Sequence, residues 1–159
     1  MRSVTPSFGR AYEPDGTIQY HPQSNIDKMA SGTPLTDADR WDWLILLRQR
    51  GLAELEAGAT GVVITCSALK RKYRDVIRIA SYNDKYILVH FIYLHADKDL
   101  LLKRVKARAG HYMKDDMVQS QFSSLEPPQE DEMDTLVVDV TGPIAVSYTH
   151  LTLPTKRIV

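Results

Sequence analysis

Two apolar runs constrain the fold of this chain more than any other feature: V-V-I-T-C at residues 62–66 and Y-I-L-V-H-F-I-Y-L at residues 86–94. Both lack the polar and apolar alternation of a strand with one wet face. Continuous β-branched and aromatic runs of this length read as strands buried on both faces, as in a parallel sheet covered by helices. His90, inside the second run, is then expected to be a satisfied core residue and not a ligand. The longer run falls far short of the about 20 residues that a membrane-spanning helix needs.

Helical stretches fall around these runs. Thr36 is placed as the N-cap of a helix over residues 37–57, with Asp37 and Asp39 in a first turn where the helix dipole favours negative charge. Trp41, Leu44, Ile45, Leu47, Leu52 and Leu55 give it a broad apolar face at three- and four-residue spacing, and Gly58 and Gly61 end it. Ser67 is expected to cap a second helix running to about residue 79. Asp97 opens a third through Ala109, and residues 136–140 form a last short strand. Between these two lies a polar stretch with Lys114, Asp115, Asp116 and Gln119. Strands alternating with helices define an α/β sandwich with a mostly parallel sheet.

A chain of 159 residues is one domain's worth. Its 20 basic residues balance 20 acidic ones at a pI near 7.0, so neither a nucleic-acid nor a membrane partner is expected. An anionic small molecule needs only a local basic pocket. The single cysteine, Cys66, excludes an internal disulfide and fits a reducing, cytoplasmic setting. With no base near it in sequence, it is expected to be a small buried filler. Residues 1–19 carry Pro6, Gly9, Pro14 and Gly16 without periodicity and are expected to be irregular. Their first ten residues lack the amphipathic pattern of a transit peptide, so a ragged start is the simpler reading. Residues 147–159, interrupted by Pro154, are expected to be unstructured.

Chemistry concentrates in residues 21–44, H-P-Q-S-N-I-D-K-M-A-S-G-T-P-L-T-D-A-D-R-W-D-W-L. Here a histidine, an asparagine, a lysine, aspartates and an arginine surround two short apolar helix faces hinged at Gly32, Thr33 and Pro34. Ordering so many mixed polar groups is costly unless something binds among them. Spacing alone also allows a solvated, well-capped helix with Arg40 beside Asp37.

The string resembles one shared by the gluconokinases, small P-loop kinases that phosphorylate a sugar acid. In that family H-P-x-x-N-I-x-K-M-x-x-G-x-P-L-x-D-x-D-R-x-x-W-L forms the wall of the sugar-acid pocket. Three more family strings follow in order: C-S-A-L-K-x-x-Y-R-D at 66–75, R-x-x-A-R-x-G-H-[FY] at 104–112, and S-Q-F-x-x-L-E-x-P from Ser120. The resemblance implies a P-loop kinase-like three-layer sandwich over residues 20–146, in incomplete form. The first strand, the G-x-x-G-x-G-K-[ST] phosphate loop, its helix and the second strand do not appear in residues 1–19, and the family's D-G-D before the histidine is not reproduced. Residues 147–159 do not match the closing helix.

The implied activity is ATP-dependent phosphorylation of D-gluconate to 6-phosphogluconate, with Mg²⁺ arriving on ATP. In the resembling kinases Arg104 and Arg108, one helical turn apart, belong to the lid over ATP and serve as catalytic and cofactor-binding residues. A sugar acid presents a carboxylate and a row of hydroxyls. Arg40, Lys70 and Arg74 are the candidate carboxylate partners; His21, Asn25, Lys28 and Asp39 are the candidate hydroxyl partners. Ser67 lies where open α/β sheets bind ligands. No resident metal site is visible in the sequence, and a homodimer is left open. Two alternatives stand beside this reading: a non-catalytic sugar-acid-binding remnant of such a kinase, and a related small-molecule kinase such as shikimate kinase.

Overall fold

The computed structural model describes residues 20–107 and 115–142. The expectations for residues 1–19, Arg108, residues 110–112 and residues 147–159 lie outside that set. Seven elements follow in order: α1 (Gln23–Ala30), α2 (Asp37–Glu56), α3 (Arg71–Asn83), β1 (Phe91–His95), α4 (Lys98–Ala107), α5 (Asp115–Ser124) and β2 (Thr135–Asp139).

The helix α2 starts as its sequence demands. The Thr36 hydroxyl accepts from the Asp39 N–H, and the Asp39 carboxylate accepts from the Thr36 N–H at 2.9 Å, a reciprocal capping box. The turn before it is equally specified. Gly32 adopts φ 81°, a left-handed conformation that closes α1 with Thr33 N–H donating to the Lys28 carbonyl at 2.8 Å, and Pro34 follows where no helix can continue. The buried centre of the fold is Trp43, Leu44 and Leu47 of α2 against Tyr73 of α3. Tyr20, Trp41, Ile64, Cys66, Ala68, Leu69 and Val76 pack around it.

The strands correct the sequence reading. β1 and β2 pair in parallel with Phe91 opposite Thr135 and His95 opposite Asp139, joined through α4 and α5. Residues 86–90 lie outside β1, and His90 is exposed, not part of a core. Residues 62–66 join no ladder among the described residues, and Val63 is 67% exposed. Ile92 and Leu94 of β1 are 54% and 58% exposed. The runs have the composition of buried strands, yet the described residues provide no neighbour for residues 62–66 and only β2 for β1. Burial on both faces needs partners that composition cannot supply.

Two helices also depart from expectation. α3 begins at Arg71, four residues after Ser67, which is exposed and caps nothing. Its orphan N-terminus is served from a distance instead. The Glu126 carboxylate accepts from the Arg71 N–H at 2.8 Å, and the Leu69 carbonyl is taken by the Glu126 N–H at 2.8 Å. Residues 66–69 therefore stay outside the helix and pack Cys66, Ala68 and Leu69 onto the core. The stretch read as merely polar contains α5, with Val118 buried. Helix α4 ends at Ala107 among the described residues.

Candidate functional site

The string at residues 21–44 folds back on itself as α1, the Gly32 hinge and α2, and the start of α3 closes against it. Asn25 is buried, and its amide donates to the Asp39 carbonyl at 2.6 Å. Lys28 reaches the Asp39 carboxylate at 2.6 Å. That lysine, with the Thr36 N–H and hydroxyl, holds the Asp39 carboxyl down at about 2. The capping carboxylate of α2 is thus also the partner of α1, which fixes the two helices to each other.

Asp37, two residues earlier on the same helix end, collects three donors from the start of α3: Lys72, the Tyr73 hydroxyl, and Lys70 at 2.9 Å. Lys72, then Tyr73 and Lys70, keep it ionised well below the usual carboxylate range. Burial, aided by the Asp37 charge, pushes the Tyr73 phenol up to about 12, so it stays protonated and donating. Lys70 is therefore already paired, although its ammonium also lies 5.7 Å from the Tyr73 ring centroid.

Arg40 behaves differently. Only 9% exposed, it lies with its guanidinium 5.6 Å from the Tyr73 ring centroid, a cation–π position. No carboxylate and no hydrogen-bond acceptor among the described residues meets it. Its expected neighbour Asp37 is occupied by α3 instead. His21 stacks on Trp43 with ring centroids 4.0 Å apart and planes at 17°. Burial, with the nearby Arg40 charge, lowers its pKa to about 4, so the imidazole is neutral near pH 7. Its Nδ1 is buried and has no hydrogen-bond partner among the described residues.

Arg74 is a correction. Expected at the ligand carboxylate, it is buried and fully engaged elsewhere. Its Nε and Nη2 donate to Glu132 at 2.7 and 2.6 Å, and its Nη1 donates to the Ala68 and Glu126 carbonyls at 3.3 and 3.1 Å. Arg78 joins the same Glu132 at 2.7 Å and forks onto Asp134. This network ties α3 to the approach to β2. It leaves Arg74 no donor set to offer a ligand.

Arg104 stands apart from the cluster, on α4, where its Nη2 donates to the Val140 carbonyl just past β2 at 2.7 Å. Ser67 is exposed beyond the stretch at residues 62–66 and is drawn into none of these bonds. Cys66 is half-buried on the core, and burial pushes its thiol pKa up, as expected of an inert filler. Sequence reasoning missed Asp37, Lys72, Tyr73, Trp43, Glu126 and Glu132. Asp37, Trp43, Tyr73 and Glu126 stand at fixed letters of the family strings and could have been found; Lys72 and Glu132 carry no such signal.

Among the described residues no group of three or more His, Cys, Asp or Glu side chains could hold a metal ion. No helix among them is long and apolar enough to cross a membrane. Open depressions of about 350 and 270 Å³ lie against residues 128–137 and between α3 and residues 131–134, away from Arg40 and His21.

No family model matches the chain. A solved structure of a gluconokinase from Sinorhizobium meliloti superimposes with a TM-score of 0.63 at 38% identity, covering 82% of this chain and 73% of that one. Fold and strings together define an α/β kinase of the P-loop class. Among curated proteins, the thermoresistant gluconokinase of Escherichia coli is 44% identical over 124 residues, covering 78% of this chain and 67% of that protein. A protein named probable gluconokinase in Schizosaccharomyces pombe is 47% identical over 121 residues, covering 76% of this chain and 62% of that protein. The chain belongs to the gluconokinase family. It spans about two thirds of the length of the curated relatives it matches.

Proposed function

We propose that this chain carries the sugar-acid half of an ATP-dependent gluconokinase, the reaction being phosphorylation of D-gluconate to 6-phosphogluconate in the cytoplasm. The observation that carries this reading is Arg40: a largely buried arginine whose guanidinium has no anionic partner among the described residues, set among the Lys28–Asp39 and Lys70–Asp37 pairs. A cation on a largely buried side chain with no counter-ion is ready to take a carboxylate, whose charge offsets the partial loss of water. Asn25, Lys28, Asp39 and His21 border it with donors and acceptors suited to hydroxyls, while Lys70 is an auxiliary cation already held by Asp37. Ser67 would meet the ligand from the end of the stretch at residues 62–66. Arg104 and Arg108 belong to the phosphate end in this reading. The hold of Arg104 on Val140 supports that, because it sits past the carboxyl end of β2, where open α/β sheets take ligands.

The described residues do not fit magnesium or the ATP phosphates by themselves. They offer neither a carboxylate cluster nor a glycine-rich loop ending in Gly-Lys-Ser or Gly-Lys-Thr. In this reading the chain's own residues would bind the acid and orient its hydroxyls; in the family the nucleotide supplies the phosphoryl group and its metal would neutralise charge on the phosphates.

Joining residues 20–159 to the N-terminal segment of the Escherichia coli relative, and following ADP release, tests the kinase reading. Gluconate-dependent ADP release with ATP and magnesium is expected from the chimera and not from the 159-residue chain. A folded chimera that phosphorylates shikimate as well as gluconate, or neither, would overturn it.

A further inference from the structure

The structure assigns His21 and Arg40 to a two-point reading of a 2-hydroxycarboxylate, with Arg40 on the carboxylate and the imidazole Nδ1 on the adjacent hydroxyl. This rests on the sugar-acid reading above and adds which part of the acid is discriminated. Three observations converge on it. Arg40 and Trp43 are one turn apart on α2, and His21 lies flat on Trp43, which brings the imidazole to the guanidinium's side of the helix. The Arg40 charge is close enough to act on the titration of His21. Apart from their ring contacts, the Arg40 guanidinium and the His21 Nδ1 have no hydrogen-bond or ion-pair partner among the described residues, while their neighbours Asn25, Lys28, Asp37, Asp39, Lys70 and Tyr73 are all bonded.

Two adjacent unsatisfied groups, one a cation and one a neutral ring nitrogen, call for a ligand with an anion and a hydroxyl on neighbouring carbons. A carboxylate matches the planar guanidinium fork. A hydroxyl can donate or accept, so it satisfies Nδ1 in either tautomer of the neutral ring. Protonation of His21 would set a second cation beside Arg40 and remove the acceptor option. The depressed pKa keeps the ring in the form this arrangement uses. An analogue lacking only the 2-hydroxyl leaves Nδ1 buried without a partner again, and such sites reject the deficient ligand more strongly than they reward the matching one.

Trp41 and Trp43 are the only two tryptophans of the chain, and both belong to this cluster, so their emission reports binding without any turnover. The full 159-residue chain is titrated with D-gluconate, with its 2-deoxy analogue and with D-glucose. The expected result is saturable binding of gluconate, about tenfold weaker binding of the 2-deoxy acid, and none of glucose. In His21→Phe, which keeps a ring on Trp43, the preference for gluconate over the 2-deoxy acid should vanish while carboxylate binding remains. In Arg40→Gln both acids should weaken together. Equal affinity of the wild-type chain for gluconate and the 2-deoxy acid overturns the assignment of His21 and leaves the sugar-acid reading standing. A preference that survives in His21→Phe does the same. No binding of either acid overturns both.

Discussion

Replacing Glu132 by alanine should be the most damaging single change outside the ligand site. The Glu132 side chain is 1% exposed and accepts from Arg74 at 2.7 and 2.6 Å, from Arg78 at 2.7 Å and from the Gln129 N–H at 3.2 Å. Its loss is asymmetric. Arg78 keeps Asp134 and Asp75, whereas Arg74 keeps only two carbonyls and becomes a buried cation without a counter-ion. Removing one partner of a buried pair costs about 3–5 kcal/mol, and the partners left to Arg78 place this case near the lower end. With a slope of about 2 kcal/mol per molar urea, the unfolding midpoint followed by tryptophan emission should fall by roughly 1.5 M. If the native chain has less stability than that, the variant will show unfolded emission before any urea is added. The double change Arg74→Met with Glu132→Leu should recover most of the loss, because it leaves no unpaired group behind. A fall of under about 0.5 M for Glu132→Ala would match a solvent-screened surface pair and refute this account.

The same assay checks the start of α2: Thr36→Ala should cost about 1 kcal/mol while Thr36→Ser costs little, and equal losses would show that the capping box is not what holds the helix end. Acid provides a third test. His21 prefers the neutral form in the fold, with a pKa near 4 against an ordinary 6.5, so its contribution to stability is complete above about pH 6.5 and lost as pH falls through 4. Trp43 emission should show a transition near pH 4 that is absent in His21→Phe, and a transition near 6.5 would place the ring in water.

The pocket side of the fold was legible in the sequence because its determinants are local. Thr36 and Asp39 cap each other across three residues, Gly32 sits where only a left-handed residue fits, and the apolar spacing of α2 selects the face that carries Leu44 and Leu47. What failed was long-range. Nothing near Ser67 in sequence announces that Glu126 serves the N-terminus of α3. Nothing near Arg74 reveals that Glu132, distant in the chain, fills its guanidinium. A basic residue in a ligand-binding string looks the same whether its partner is a ligand or a buried carboxylate. Arg40 and Arg74 were alike on paper, and only the placement of Asp37 and Glu132 separates them.

The two sides of the fold are held by different means, and this bears on what the chain can do alone. The Arg40 and His21 cluster is closed by α1, α2 and the start of α3, through Asp37, Asp39 and the Trp43–Tyr73 core, with no contribution from β1 or β2. Among the described residues the sheet side is open. Residues 62–66 pair with nothing described, β1 pairs along one edge, and Val63, Ile92 and Leu94 present apolar surface to water while Asn25 and Glu132 are buried. Parallel strands gain their stability from neighbours on both edges and helices on both faces. In the proposed reading, recognition of the acid rests on contacts the described residues already make, whereas phosphoryl transfer calls on a phosphate loop that is not among residues 1–159. Ligand affinity and turnover should separate cleanly in this chain, because the groups that read the acid and the groups that would hold the phosphates do not share a structural support.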